Sequence, residues 1–277
     1  MIRINQPGLK NFVFYVFGFI FLTLFIYLGI PFFFDYKNNQ SDLERKIFEN
    51  FDLNLSFTSK VKYNIFPSPR LNLKNVEILS FSESSKNIGS VKKVILKIPF
   101  KRLVSLKKLD FDSIELIDAV INIKTSEINN FKNYLNNKAH EKPIKLTKSK
   151  INLLDKTKLL FNIDIKKLRI SGKSLFNKLD LKGRIFDTKI EINYQNKNFN
   201  KNSEKNVEIW LPEIGLNSKL SINPDKKNNE TIYGRVSVFF PSNQIYLDYI
   251  LRNKIFNISS SRLTNNYFKG QLFGDII

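Results

Sequence analysis

Two hydrophobic patterns divide the chain. Residues 11–34, NFVFYVFGFIFLTLFIYLGIPFFF, are a run without a single charge. As a helix rising ~1.5 Å per residue, the run would reach ~36 Å, enough to cross a hydrocarbon core of ~30 Å. It continues into Ile30, Pro31 and three phenylalanines without a small-residue cleavage site. That predicts an uncleaved transmembrane anchor rather than a signal peptide. Next, Ser41-Asp42-Leu43-Glu44 has the form of a capping box, with Ser41 as the N-cap. Leu43, Ile47, Phe48 and Phe51 follow at helical spacing, which predicts a short amphipathic helix, either near the membrane surface or packed on the first strands.

From Leu53 onward the period is two. Leu53, Leu55 and Phe57 alternate with polar residues, as do Ile190, Ile192 and Tyr194. So do Val207, Ile209 and Leu211, then Leu220 and Ile222, and Phe268, Leu272 and Ile276 near the end. Alternation of this kind predicts antiparallel strands with one apolar and one polar face. One submotif recurs, apolar-x-apolar-x-x-apolar-x-apolar. It reads as Leu71, Leu73, Val76 and Ile78; as Leu109, Phe111, Ile114 and Leu116; and as Ile163, Ile165, Leu168 and Ile170. An extra residue would flip the faces of a regular strand, so bulges are expected at Lys74-Asn75, Asp112-Ser113 and Lys166-Lys167. Bends at similar places would curl the sheet into a trough.

Helical pieces are few: a short one in 99–106, and one in 126–137 with Ile128, Phe131 and Leu135 on one face. Lysine-rich residues 138–158 read as a linker or loop, and 195–205 and 223–229 as further polar connections. The expected organisation is a cytoplasmic 1–10, an anchor 11–34, a first sheet section 35–137, the linker 138–158 and a second sheet section 159–277. Arg3 and Lys10 precede the span, while Asp35, Lys37, Asp42 and Glu44 follow it, which favours a cytoplasmic N-terminus.

Composition removes most chemistry. There is no cysteine and one histidine, His140, so thiolate and multi-histidine metal sites are excluded. No phosphate-cradling glycine loop is present. Asp110, Asp112 and Glu115 lie close in sequence, but on a strand they belong to the solvent-facing parity beside Lys107 and Lys108. His140 sits in a polar loop, and Trp210 suits a strand or interface. The expectation is a protein that is not an enzyme, without catalytic residues, metal or cofactor. The net charge is +20, with 36 Lys to 9 Arg. Lys, Asn, Ile, Phe and Tyr share A/T-rich codons, which accounts for much of that excess. The scarcity of Arg and the even spread of Lys argue against nucleic acid.

The ordered set of elements resembles the N-terminal region of AsmA-family proteins of the Gram-negative envelope. An N-terminal anchor, Asp35-Tyr36-Lys37 and a short helix are followed by Phe66-Pro67-Ser68-Pro69-x-Leu71. Then come Asn75-Val76-x-Ile78, Ile98-Pro99-Phe100, Leu106 and Leu109-x-Phe111-x-x-Ile114-x-Leu116. The resemblance covers residues 11–137 and continues loosely through 163–172. It departs at Glu49-Asn50-Phe51, where the family often has small residues, and lacks the long C-terminal half. It implies a mainly β fold: an elongated, twisted antiparallel β-groove with a few short helices behind a transmembrane helix. The implied role is an inner-membrane protein whose periplasmic groove conducts phospholipid acyl chains and supports outer-membrane assembly. Leu71, Leu73, Val76, Ile78, Leu109, Phe111, Ile114 and Leu116 would contact lipid, and Lys60, Lys62 and Arg70 at the margins would attract anionic headgroups.

Two alternatives stay open on the residues alone. A closed sandwich or barrel would cover the same apolar faces. A scaffold that binds protein partners and transports nothing would also use them. The alternating run ending at 277 further predicts a sheet edge completed by a β-rich envelope protein or by a second copy.

Overall fold

The structure, a computed structural model, describes residues 7–79, 87–105, 109–128, 142–173, 176–199, 202–225, 231–252 and 255–276. Helix α1, Pro7–Gly29, passes into a 3-10 turn at Ile30–Phe33. Pro31 lacks the N–H that would continue the α-helical ladder, so the helix tightens and stops there. Phe12–Phe33 forms a 22-residue apolar stretch whose side chains are open to the surroundings through Ile26.

Helix α2, Gln40–Phe51, begins one residue before the expected cap. The expected capping box does not form: Ser41 is inside the first turn, and the N-cap Asn39 makes no side-chain cap bond. Glu44 faces a strand instead, where its Oε1 accepts from the Phe57 N–H at 3.2 Å and from Gln40 Nε2 at 3.0 Å. Asp52, at φ 55°, closes the helix in the left-handed region. Leu43, Ile47 and Phe51 are buried, which puts α2 on the strands.

The strands are β1 Leu55–Phe57, β2 Lys62–Asn64, β3 Arg70–Leu79, β4 Asn87–Lys97, β5 Ser113–Lys124, β6 Ile144–Asp155, β7 Lys158–Lys173 and β8 Phe176–Ile185. They continue as β9 Thr188–Phe199, β10 Asn202–Leu211, β11 Leu216–Pro224, β12 Thr231–Phe240, β13 Asn243–Arg252, β14 Ile255–Asn265, β15 Lys269–Gly270 and β16 Gly274–Ile276. All belong to one sixteen-stranded sheet in which β3 to β14 lie side by side in chain order. Every pairing is antiparallel except β5–β6, which is parallel and departs from the wholly antiparallel expectation. Each outer strand is flanked by two short ones: β1 and β2 on β3, β15 and β16 on β14. Short, interrupted edge strands offer little template for further pairing.

The bulges take an unexpected form. Lys74 pairs with Lys93 and Val76 with Val91, so the step at Asn75 is matched by one at Lys92 and the register is kept. The same matched step passes to Asp118 in β5, and Thr147 and Ser149 flank it in β6 against Lys167 and Ile165. Asn75, Asp118 and Lys148 all have φ near 50°. Only between β7 and β8 is the step unmatched: Ile165 faces Gly183 while Lys167 faces Lys182. There Gly183 allows the strands to close in, because a Cβ would collide with the Asp164 carbonyl. The result is a transverse crease over β3 to β7. Of the expected bulges, Lys74-Asn75 and Lys166-Lys167 lie on it. Asp112-Ser113 falls where β5 begins, and the step in β5 comes at Ile117-Asp118.

A left-handed conformation costs an L-residue roughly 1–2 kcal/mol, and β-branching adds to it. Lys148 already bears that cost, so Lys148→Val adds the strain of β-branching alone and is expected to lower stability by about 1 kcal/mol, while Lys148→Gly leaves it level or raises it. Urea midpoints of the two variants check this.

The expected linker is a further correction. Residues 144–155 are a central strand, held by β5 on one side and β7 on the other. Its face reads Ile144, Leu146, Ser149, Ile151, Leu153, the recurring submotif with serine in one apolar place. Lysines at 145, 148 and 150 sit on the other parity and mask it. The polar connection expected at 195–205 is likewise mostly strand, since β9 runs to Phe199 and β10 starts at Asn202; similarly β11 extends through Pro224. The helix expected in 99–106 is reduced to a 3-10 turn at Phe100–Arg102. Of the one in 126–137, the 3-10 turn Thr125–Glu127 is seen, and 129–141, with His140, lie outside the described residues.

Candidate functional site

One face of the sheet is apolar over most of its length. Leu73, Val94, Leu116, Leu146, Leu168, Leu181, Ile192 and Ile209 are successive register partners across eight strands. The row continues through Ser218 to Val238, Ile245 and Leu263. A second row runs beside it from Leu71 through Leu96, Ile114, Ile144, Ile170, Leu179, Tyr194, Val207, Leu220, Val236 and Leu247. Side chains directly opposite one another are neighbours on a sheet, so these rows are two apolar tracks, the first interrupted at Ser218 and the second continuous through Leu247.

The tracks differ along their length in what covers them. Over β3 to β6 they form a single core with Leu43, Ile47 and Phe51 of α2 and with Ile98, Leu103, Leu109 and Phe111 of the β4–β5 connection. Phe51 and Phe111 stack with centroids 6.5 Å apart. All eight residues expected to contact lipid lie here, no more than 2% exposed. Leu71, Leu73, Val76, Ile78, Ile114 and Leu116 share the sheet face under a lid, and Leu109 and Phe111 are part of that lid. Ile165 and Leu168 of β7 and Leu181 of β8 are still buried in that core, which then thins to half-buried partners, the last being Ile190 and Ile192 of β9. Beyond that, Val207, Ile209, Leu220, Val236, Val238 and Leu247 are half-buried with no helix over them among the described residues. These are the open part of the track. Their alternation is visible in sequence, but exposure depends on where α2 ends, which alternation does not report.

Glycine makes room for an aromatic ring on this face. Tyr249 lies over Gly234, where a Cβ would collide with the tyrosine ring, and it stacks on Phe256 at 4.8 Å.

The polar face is held by opposite charges. Lys150–Asp164 at 3.2 Å, Lys182–Glu191 at 2.8 Å, Lys219–Glu208 at 3.1 Å and Arg235–Asp248 at 2.6 Å are all direct register partners. A row of similar apolar residues discriminates poorly between registers, and a charge pair discriminates well. Hollows of about 920, 400 and 210 Å³ open on this polar side, among the same ion pairs. Trp210 is on this face and 43% exposed.

At the start of the tracks, α1 is clamped to the sheet domain. The Tyr63 hydroxyl donates to the Leu28 carbonyl at 2.9 Å, and the Tyr27 hydroxyl donates to the Phe100 carbonyl at 2.5 Å. Phe32 meets the Tyr63 ring edge-on at 4.9 Å. Burial raises the Tyr63 phenol to about 12, with the Tyr27 hydroxyl adding to it, and burial raises Tyr36 as well. Beside this clamp is a cavity of about 780 Å³, lined in part by Lys60 and Lys62. The third expected margin residue, Arg70, does not line it and donates to the Phe66 carbonyl.

The acidic cluster is separately engaged. Asp110 is held by Lys142 Nζ at 2.5 Å, Glu115 accepts from the Thr147 hydroxyl at 2.9 Å, and Asp112 is exposed. Partial burial pushes the Asp110 carboxyl up. Hydrogen bonds from Lys142 and from the Phe111 N–H, with the charges of Lys142 and Arg102, outweigh it and leave the group below its ordinary value. A depressed folded pKa contributes stability above the unfolded value, near ~3.9, that is lost as pH falls through the folded one. Asp110→Asn is therefore expected to flatten the acid limb of the stability curve, read as the unfolding midpoint between about pH 5 and 2.

Among the described residues no group of His, Asp or Glu could hold a metal ion. The fold and site define a class: a single-sheet, mainly β protein with one N-terminal apolar helix, of a length suited to a membrane span or a signal sequence. The chain matches no protein-family model, no curated protein and no solved structure.

Proposed function

We propose that this chain is an inner-membrane-anchored periplasmic protein whose apolar sheet face binds or conducts phospholipid acyl chains. On this reading it supports outer-membrane assembly, as the resemblance to the AsmA family implies. The observation that carries the reading is the pair of apolar tracks. They begin in the module clamped to α1 and run on, the first row broken at Ser218 and the second whole through Leu247, over strands that leave them progressively uncovered. Acyl chains need a continuous path of low polarity, because each polar group left unpaired against them is costly. The path favours no single essential residue. Its open part is β10 to β14, with α2 closing the core at the membrane-proximal end.

Photo-crosslinking side chains at Ile209, Val236 and Leu247 on the apolar face, and at Lys182, Glu208 and Arg235 on the polar face, test this in membranes. Lipid adducts are expected on the first set only. Equal adducts on both faces, or none on either, would count against an acyl path. Protein adducts confined to the apolar face would favour a scaffold.

A further inference from the structure

We infer that the cavity at the exit of α1 binds the phosphate-bearing headgroup of an anionic phospholipid. The inference rests on the membrane-anchored reading above and names the ligand of its first stage. Place is the first argument. Phe32 lines the cavity and is the second-last residue of the apolar stretch Phe12–Phe33. With that stretch in a bilayer, the cavity opens at the level of the headgroups.

Charge is the second. Lys37, Lys60 and Lys62 line the cavity and are exposed, and the single acid beside them is Asp35. Its carboxylate is already occupied, accepting from the Asn38 N–H at 3.1 Å and from Asn38 Nδ2 at 2.6 Å. Among the described residues none of the three lysines has an ion pair. Elsewhere on the sheet some lysines face acids across the strands, as Lys150, Lys182 and Lys219 do, and others face cations, as Lys74 faces Lys93; what marks this hollow is three cations gathered around one acid that is already engaged.

The wall is the third. Phe57, Val61, Tyr36 and Tyr63 are buried behind the lysines. The two tyrosine hydroxyls donate to backbone carbonyls, Tyr36 to Pro31 and Tyr63 to Leu28, which leaves their rings as an apolar surface. Cations over an apolar wall suit a phosphate joined to a glycerol and acyl chains. The wall also leads onward: Phe57 is the register partner of Val76, and Tyr63 of Leu71, at the beginning of the apolar face. A lipid held by its headgroup here has its chains beside the start of the tracks.

The test titrates phosphatidylglycerol onto the full-length protein in detergent, read by native mass spectrometry. The variant K37Q/K60Q/K62Q is expected to bind it about tenfold or more weakly, since three cations near an anionic headgroup act together. The matched variant K156Q/K158Q/K269Q should bind as the parent does. Phosphatidylcholine, whose headgroup carries no net charge, should bind weakly to all three proteins. Equal weakening in both variants, or in neither, overturns the site. Displacement by excess inorganic phosphate would assign the hollow to free phosphate and overturn the lipid headgroup; persistence supports it. Crosslinks at Ile209 and Val236 read the acyl path separately. Their loss with phosphatidylglycerol binding intact would refute that path and leave the headgroup site standing.

Discussion

Phe111→Ala is expected to destabilise the protein by about 3–5 kcal/mol, as truncation of a fully buried aromatic side chain does. Phe111 is fully buried in a segment with no strand pairing of its own before Ser113. Its ring fills the space between Phe51 of α2 and the strands, so its removal leaves a cavity that the helix and the β4–β5 connection share. Phe51→Ala should cost a similar amount, and the double variant less than the sum, because both empty one space. Hydrogen exchange would show where the loss falls. Amides of 43–51 should lose protection while those of 243–252 keep theirs, since the shared core ends at β9. Urea unfolding of the parent and the three variants checks the magnitude, and a change under about 1 kcal/mol would contradict this account of the core.

The second large effect concerns the open track and leaves the fold standing. Leu220→Glu places a carboxylate in the second apolar row, between Val207 and Val236, on a side chain that is only half-buried. Water reaches the site, so the cost to folding should stay under about 1 kcal/mol. An acyl chain crossing the same point would have to desolvate a charge, which is far more costly. Lipid adducts at Ile209 and Val236 are expected to fall at least about tenfold, with the unfolding midpoint nearly unchanged. Leu220→Asn, polar but uncharged, should give a smaller loss. Adduct yields that ignore the carboxylate would mean that lipid does not travel this row.

Much of the fold can be read without coordinates, because period two is a local signal. The apolar parities of 71–78, 163–170, 190–194 and 207–211 all face the same side. The short helix at 43–51 is visible in its spacing, although its cap is not: Ser41 and Glu44 fit a capping box in isolation, but Phe57 competes for the Glu44 carboxylate. Residues 144–155 escape a reading by period because lysines on the polar parity and Ser149 on the apolar one dilute the pattern. The parallel pairing of β5 with β6 depends on a long return connection and leaves no trace in either strand. The site is legible as a face, not as a place. Leu71 and Leu116 have the same pattern as Ile209 and Val236, yet the first two lie in the core that α2 closes and the others do not. The hollow at the helix exit brings Lys37 together with Lys60 and Lys62 across a chain reversal that spacing alone does not foretell.

The crease has a consequence for how such a chain can change over generations. In β3 to β6 each strand carries its additional step opposite the step of its neighbour, so all registers agree. Deleting Asn75 alone would turn half of β3 inside out relative to β4, and no repair within β3 would restore it. Descendants can therefore lose or gain the crease only as a block of strands, or at its border, where the β7–β8 mismatch already absorbs one residue beside Gly183. Length variation among relatives should accumulate at that border and in the hairpins, while the strands between Arg70 and Asp155 keep their lengths together.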